Sequence, residues 1–318
     1  MTATLAVDVA AFIAHKRALG RTYRTEERTL RLLVAFAAEH DVHHIGQLTS
    51  ALLDAFVGSR PRTRSRSFNH LVGIVGCFLT WAVAQQKLTV SPLRVTRRRH
   101  ADLRVPYVFN IDQARSILNA AAALPDNPGA TDRGATYRTI FALCYGLGLR
   151  AGEACGITAA DVDVDRQLIV VRGGKFGKDR LVPHGPRIGE LLARQIERRG
   201  PGGDGPLFSF DGQRHIHPGT ASHVFHQLLD DIGIVVPAGV STPTLHSLRH
   251  SFAVGCLLRW YRQGINPATR LYELSTFMGH VSPLSTAVYL TITPELFSEA
   301  NHRFETLAMP AWATADQP

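Results

Sequence analysis

The chain has 318 residues, room for two domains at the usual size of ~150 residues each. Lys and Arg total 35 against 26 Asp and Glu, a formal charge of +9, and 45% of residues are hydrophobic against 19% charged. That balance excludes a disordered chain, and Gly and Pro without a period exclude a collagenous or low-complexity one. Excess positive charge points to an anionic partner, nucleic acid before others, or to a merely basic surface; the placement of the charge decides between them.

Cys77, Cys144, Cys155 and Cys256 form no CxxC pair, so they are expected to be buried small hydrophobes in a reducing cytoplasm. The N-terminus lacks the basic-then-apolar order of a signal peptide. Residues 71–84 form the longest apolar stretch, which as a helix reaches ~21 Å against a hydrocarbon core of ~30 Å. It is therefore expected to be a core helix, and no membrane span is expected.

Residues 1–93 show helical periodicity. Phe12 and Ile13 precede a stop at Gly20, and Thr25 before Glu26 and Glu27 is an N-terminal signal for a helix carrying Leu30, Leu33, Val34 and Phe36. Ser50 is placed to cap 51–57, and a further helix is expected over 68–87. Between the last two lie Arg60, Arg62, Arg64 and Arg66, alternating with hydroxyl residues or Pro, a pattern that suits a track of phosphates. Residues 94–106 form a basic linker with Arg94, Arg97, Arg98 and Arg99, which repels itself and extends, and which would lie well along a DNA backbone.

A larger unit is expected over 107–305, with a loose tail at 306–318. Ile111, Ala114, Ile117 and Leu118 repeat at helical spacing, and a polar loop over 125–134 leads to an apolar helix over 137–146. Two β-branched runs, 167–172 and 180–183, flank the Gly-rich turn GGKFGKD and predict a β-hairpin. Helices resume from 186, broken at 200–206 and 232–243.

Four segments of this unit carry chemistry. GLGLRAGE places Arg150 and Glu153 three apart at a helix start; the hairpin turn holds Lys175, with Lys178 as a competitor; LHSLRH sets His246 and Arg249 on one helical face; and MGH brings His280, nine residues before Tyr289. Singly each has a bland reading: a surface ion pair, a structural His, a core Tyr. The His43-His44 pair and His215-x-His217 have no partner motif, so no metal is expected, and no GxxxxGK[ST] implies a nucleotide site.

Together, in this order, the segments resemble the tyrosine recombinase (phage integrase) family, whose pattern is Arg, Lys, His-x-x-Arg, His or Trp, Tyr. The resemblance covers roughly 107–295. It implies a fold that is mostly α with a small β-sheet: a helical, SAM-like core-binding domain over 1–93 and a mixed α/β catalytic domain. Gly152 and Phe176-Gly177 depart from the commonest letters, and 264–278 is longer than usual.

The family's chemistry then assigns the roles. Tyr289 would be the nucleophile forming a 3′-phosphotyrosyl bond, and Arg150 and Arg249 would clamp the phosphate with permanently charged planar forks. Lys175 would protonate the leaving 5′-oxygen, His246 would act as base beside His280, and Glu153 would orient Arg150. No cofactor is implied. The implied partner is double-stranded DNA, bound by a homotetramer or a mixed assembly with related recombinases on two sites, for a mobile element. The rival readings are a type IB topoisomerase-like strand cleavage and a DNA-binding regulator without catalysis.

Overall fold

The computed structural model describes residues 3–99, 105–174, 177–200, 204–280, 282–291, 296, 298–299, 301 and 305. The chain divides into two compact units, Met1–Leu103 and Arg104–Pro318. Lys175, Arg104 and the tail from 306 lie outside the described residues.

The first unit holds four α-helices among its described residues: α1 (Leu5–Ala18), α2 (Arg24–Ala38), α3 (Ser50–Gly58) and α4 (Ser65–Ala84). Their apolar stripes close on one core in which Phe12 packs edge-on against Phe78, ring centroids 5.5 Å apart. The helix ends differ in detail from the sequence expectation. Thr49, not Ser50, caps α3 by accepting the Leu52 N–H, and α2 begins after Tyr23 in a left-handed conformation rather than at Thr25. α3 thus starts at its expected cap and α2 one residue before its own, because the preceding residue already takes the non-helical geometry.

α4 also starts earlier than its apolar run. At 20 residues it is long and apolar enough to cross a membrane, unlike the shorter stretch read from the sequence. Its Phe68, Leu71, Val72, Ile74, Val75, Phe78, Leu79 and Ala82 are nonetheless buried against the other helices of this unit. Cys77 falls between those positions on the outer face and is exposed, and Cys256 is half-buried; only Cys144 and Cys155 are the buried cysteines expected.

The basic segment 94–99 has no regular secondary structure, yet it is tied to the helical unit. Leu93 and Val95 pack against the core, Asn69 exchanges hydrogen bonds with the Arg98 backbone, and the Arg98 guanidinium stacks 3.8 Å from the Phe68 ring centre. Self-repulsion of the arginines is offset here by specific anchors on α4.

In the second unit, α5 (Ile111–Ala122) and α6 (Arg133–Gly146) pair closely, and α6 is buried on most of its circumference. The short α7 (Ala151–Cys155) leads to an antiparallel sheet of β1 (Val162–Asp163), β2 (Leu168–Val171) and β3 (Arg180–Pro183), so the expected hairpin gains a third strand. The register pairs Ile169 with Val182 and Val171 with Arg180. Strand alternation therefore turns Arg180 to the same face as buried Val182 while Leu181 points to solvent. α8 (Pro186–Arg199), α9 (Pro218–Asp231), α10 (Leu245–Arg262), α11 (Leu271–Met278) and α12 (Leu284–Ala287) complete the described helices, with a 3-10 turn at Val288–Thr291 carrying Tyr289.

Candidate active site

The C-terminal end of α6, the start of α7, the inner face of β3, the first turns of α10 and the end of α11 converge on one carboxylate. Glu153, with its side chain 7% exposed, meets three guanidinium groups. Arg150, the residue before α7, donates its backbone N–H (2.9 Å) and Nη1 (2.5 Å) to it. Arg180 reaches it with Nη1 (3.0 Å) and Nη2 (2.9 Å), a two-pronged pair across 27 residues of chain. Arg249 Nη1 lies 3.9 Å away. One negative charge thus stands among three positive ones, a local surplus suited to an anion.

Among the described residues Arg249 is the largest fully buried side chain. Its α10 face is otherwise small or apolar (Leu245, Leu248, Ala253), so the helix carries the guanidinium inward. It donates to the Gly148 carbonyl and to that of Met278 (2.7 Å), while its buried Nε has no partner among the described residues. Burial lowers its pKa to about 10, which leaves it charged at neutral pH. Both Gly148 and Gly279 adopt positive φ, +61° and +67°. A Cβ at Gly148 would lie 2.4 Å from the Phe252 ring, and one at Gly279 2.8 Å from the Arg180 guanidinium, so the GLGLR and MGH glycines let backbone approach the arginine cluster. The Gly279 carbonyl accepts from Arg150 Nη2 at 3.0 Å.

Tyr289 is 3% exposed and packs among Ala253, Val254, Leu257, Leu274 and Met278. Its hydroxyl lies 2.9 Å from His250 Nδ1. The His280 ring faces the phenol at a centroid distance of 6.5 Å, and His280 Nδ1 is 2.7 Å from the Thr286 hydroxyl. His246 stands one helical turn before His250, its ring edge-on to that of His250 at 4.7 Å, and is exposed on its other side. Among the residues expected from the sequence, Arg150, Glu153, His246, Arg249, His280 and Tyr289 share this site, whereas Lys175 lies outside the described residues. Two residues escaped the sequence reading. Arg180 is visible only as a strand residue until the fold pairs it with Glu153, and His250 was legible as the last residue of LHSLRH but had no assigned task.

Burial sets the protonation states. Loss of hydration, reinforced by the neighbouring positive and imidazole groups, pushes His250 and His280 down to about 4 and lowers His246. Burial works to raise the Glu153 pKa, but hydrogen bonds from Arg180 and Arg150 outweigh it and hold the carboxyl down to about 2. Burial raises the Tyr289 phenol, a shift opposed by Arg249 and Arg150.

A stability change with pH follows. An unfolded histidine gains its proton near 6.5, whereas His250 in the folded chain stays neutral until about 4. The unfolded state therefore binds more protons across that window, and stability is lost as pH falls from 6.5 toward 4. His250→Gln cannot titrate, so its urea unfolding free energy should fall less between pH 7 and pH 4.5, by about 1–2 kcal/mol. Parallel curves for the two proteins would show that His250 is not held neutral by the fold.

Residues 108–295 match the phage integrase family. The chain is 32% identical, over 93% of its length and 96% of the relative's, to a Sinorhizobium fredii protein that carries the name integrase/recombinase y4rB. It is 27% identical to the tyrosine recombinase XerC of Xanthomonas campestris, covering 88% of this chain and 83% of that one. In fold it is similar to a lambda integrase dimer bound to a COC′ core site (TM-score 0.65, 18% identity, 91% of this chain and 77% of that one). It is also similar to the Tn1549 transposon integrase in complex with a circular intermediate DNA (TM-score 0.62, 19% identity, 96% and 100%). A helical chain with a three-stranded sheet, arginines gathered around a buried carboxylate beside a buried tyrosine, and a family match over the second unit lead to one assignment: the chain belongs to the phage integrase family of tyrosine recombinases.

Proposed function

We propose that this tyrosine recombinase cuts and rejoins double-stranded DNA at specific sites through a 3′-phosphotyrosyl intermediate on Tyr289, in the cytoplasm and in the service of a mobile element. The observation that supports this best is the burial of one phenol in the same site as three guanidinium groups that share a single carboxylate and so keep a surplus of positive charge. A phosphodiester brought there meets fixed positive charge where its non-bridging oxygens gain charge in the transition state. Arg150 and Arg249 hold those oxygens, Glu153 and Arg180 keep the two guanidinium planes in place, and Tyr289 attacks phosphorus. His280, steadied by Thr286, donates a further hydrogen bond. The phosphotyrosyl link conserves the energy of the broken bond, so rejoining needs no nucleotide cofactor. The assembly is a homotetramer, or a mixed one with related recombinases, on two DNA sites.

The test is capture on a nicked suicide duplex that loses the short leaving strand after cleavage. A covalent adduct through Tyr289, formed equally well in excess chelator, is the expected result, since arginine supplies the positive charge. DNA binding without any adduct would establish a regulator instead, and cleavage that vanishes with chelator and returns with Mg²⁺ would establish metal chemistry.

Lys175 supplies the proton to the leaving 5′-oxygen in this reading. Lys175→Ala should slow cleavage of ordinary DNA by ~10²–10⁴-fold, the usual worth of general acid assistance. A 5′-bridging sulfur leaves without a proton, so on that substrate the defect should largely vanish while an Arg249→Ala defect persists. Rescue of Lys178→Ala instead would transfer the role to Lys178.

DNA contact is proposed for Arg60, Arg62, Arg64, Arg66, Arg94, Arg97, Arg98 and Arg99. Of these, Arg64, Arg66 and Arg97 line one open groove with Asn69, His70 and Gly73 of α4, whereas Arg60 and Arg62 are half-buried and Arg98 is bonded to the Arg62 carbonyl at 2.7 Å. Neutralising Arg64, Arg66 and Arg97 together should reduce the slope of log affinity against log salt by about 2–3, one released counterion per lost phosphate contact. An unchanged slope would take this groove off the DNA.

A further inference from the structure

We infer that His250, not His246, takes the phenolic proton from Tyr289 when the phosphotyrosyl bond forms, an inference that rests on the proposed covalent mechanism. The carrying observation is geometric. His250 Nδ1 and the Tyr289 hydroxyl are 2.9 Å apart, with ring centroids 5.5 Å apart, so base and nucleophile are already within proton-transfer reach. His246 has no comparable contact with the phenol among the described residues; its ring meets the edge of His250 instead. One turn of α10 separates the two imidazoles, which places His250 on the phenol and leaves His246 toward solvent.

The tautomer follows from the bond. Neutral His250 keeps its proton on Nε2 and offers the Nδ1 lone pair, to which the phenol donates. Burial, with His246, Arg249 and His280 as its charged or titratable neighbours, keeps the ring neutral and thus able to accept. The step balances. The Tyr289 O–H bond breaks, its oxygen forms the bond to phosphorus, and the proton forms Nδ1–H on an imidazolium. The P–O5′ bond breaks with its electron pair on the 5′-oxygen, which is protonated by the separate acid. On rejoining, the incoming 5′-hydroxyl displaces the tyrosine oxygen, and His250 returns the proton.

The experiment measures single-turnover adduct formation on the nicked suicide duplex, with the full chain, for His250→Ala and His250→Gln. Each is made with ordinary tyrosine at 289 and with tetrafluorotyrosine, whose phenol is already ionised at the assay pH. With ordinary tyrosine both variants should be slower by ~10²–10⁴-fold. Glutamine can accept a hydrogen bond from the phenol but cannot take its proton, so its defect separates proton acceptance from positioning. With tetrafluorotyrosine the defect should shrink to within a few-fold, and a 5′-bridging sulfur should restore neither variant. DNA binding and circular dichroism matching the unaltered chain establish that the variants fold. Full activity of His250→Gln, an unslowed His250→Ala, or a defect undiminished by fluorination would each overturn the inference while leaving the recombinase reading intact. Absence of any adduct from the unaltered chain would instead remove the reading on which it rests.

Discussion

Tyr289→Phe is expected to bind DNA as tightly as the unaltered chain and to form no covalent adduct at all. The substitution deletes one oxygen from a ring that is 3% exposed and surrounded by apolar side chains, so the packing that supports the 3-10 turn survives. What is lost is the nucleophile and one hydrogen bond with His250, worth about 1 kcal/mol of stability, or somewhat more because the imidazole nitrogen is left without its partner. The measurement is denaturing electrophoresis of the suicide-substrate reaction beside a binding assay on the same DNA. Adduct formation by the variant would move the nucleophile elsewhere. Tyr272, 74% exposed on α11, would be the next residue to replace.

Glu153→Ala should be the most damaging single change to the site as a structure. Its carboxylate is the only negative partner that the described contacts give to Arg150, Arg180 and Arg249. Removing it leaves a fully buried guanidinium on Arg249 and two partly buried ones facing each other without compensation. Breaking a buried pair in this way typically costs about 3–5 kcal/mol. Chemical denaturation should show a loss of that order, and adduct formation should fall with it because Arg150 is no longer held toward the site. Glu153→Gln keeps the shape and the acceptor oxygen but not the charge, and should fall between the two. Unchanged stability in Glu153→Ala would mean that water solvates the cluster, or a bound anion neutralises it, once the carboxylate is gone.

The folded chain shows which parts of this arrangement can be read in one dimension. Arg150 and Glu153, or His246 and Arg249, are three residues apart, and helical geometry alone makes such pairs neighbours. The same local periodicity exposes the apolar stripes of α1 to α4 and the alternating strands around the Gly-rich turn. The chain order of those short segments also carries the family resemblance, which nominates His280 and Tyr289 without any distance.

Other features depend on contacts between residues far apart in the chain. Arg180 looks like an ordinary strand residue until the sheet register turns it inward onto a carboxylate 27 positions earlier. His250 is one of several histidines until the turn after α12 brings a phenol to its Nδ1 across 39 residues. Hydropathy would place Arg249 at the surface, yet it is 0% exposed, because carbonyls turned inward at Gly148 and Met278 and the charge of Glu153 replace its water. The caps moved by one residue at α3 and two at α2, because Thr49 and Tyr23 already leave helical geometry there, and of the two only Thr49 lends its side chain to the cap. Local spacing thus specified the elements and nominated the reactive residues. Long-range packing selected which of their atoms meet, since charge burial and hydrogen-bond partners are properties of the closed core and not of any segment within it.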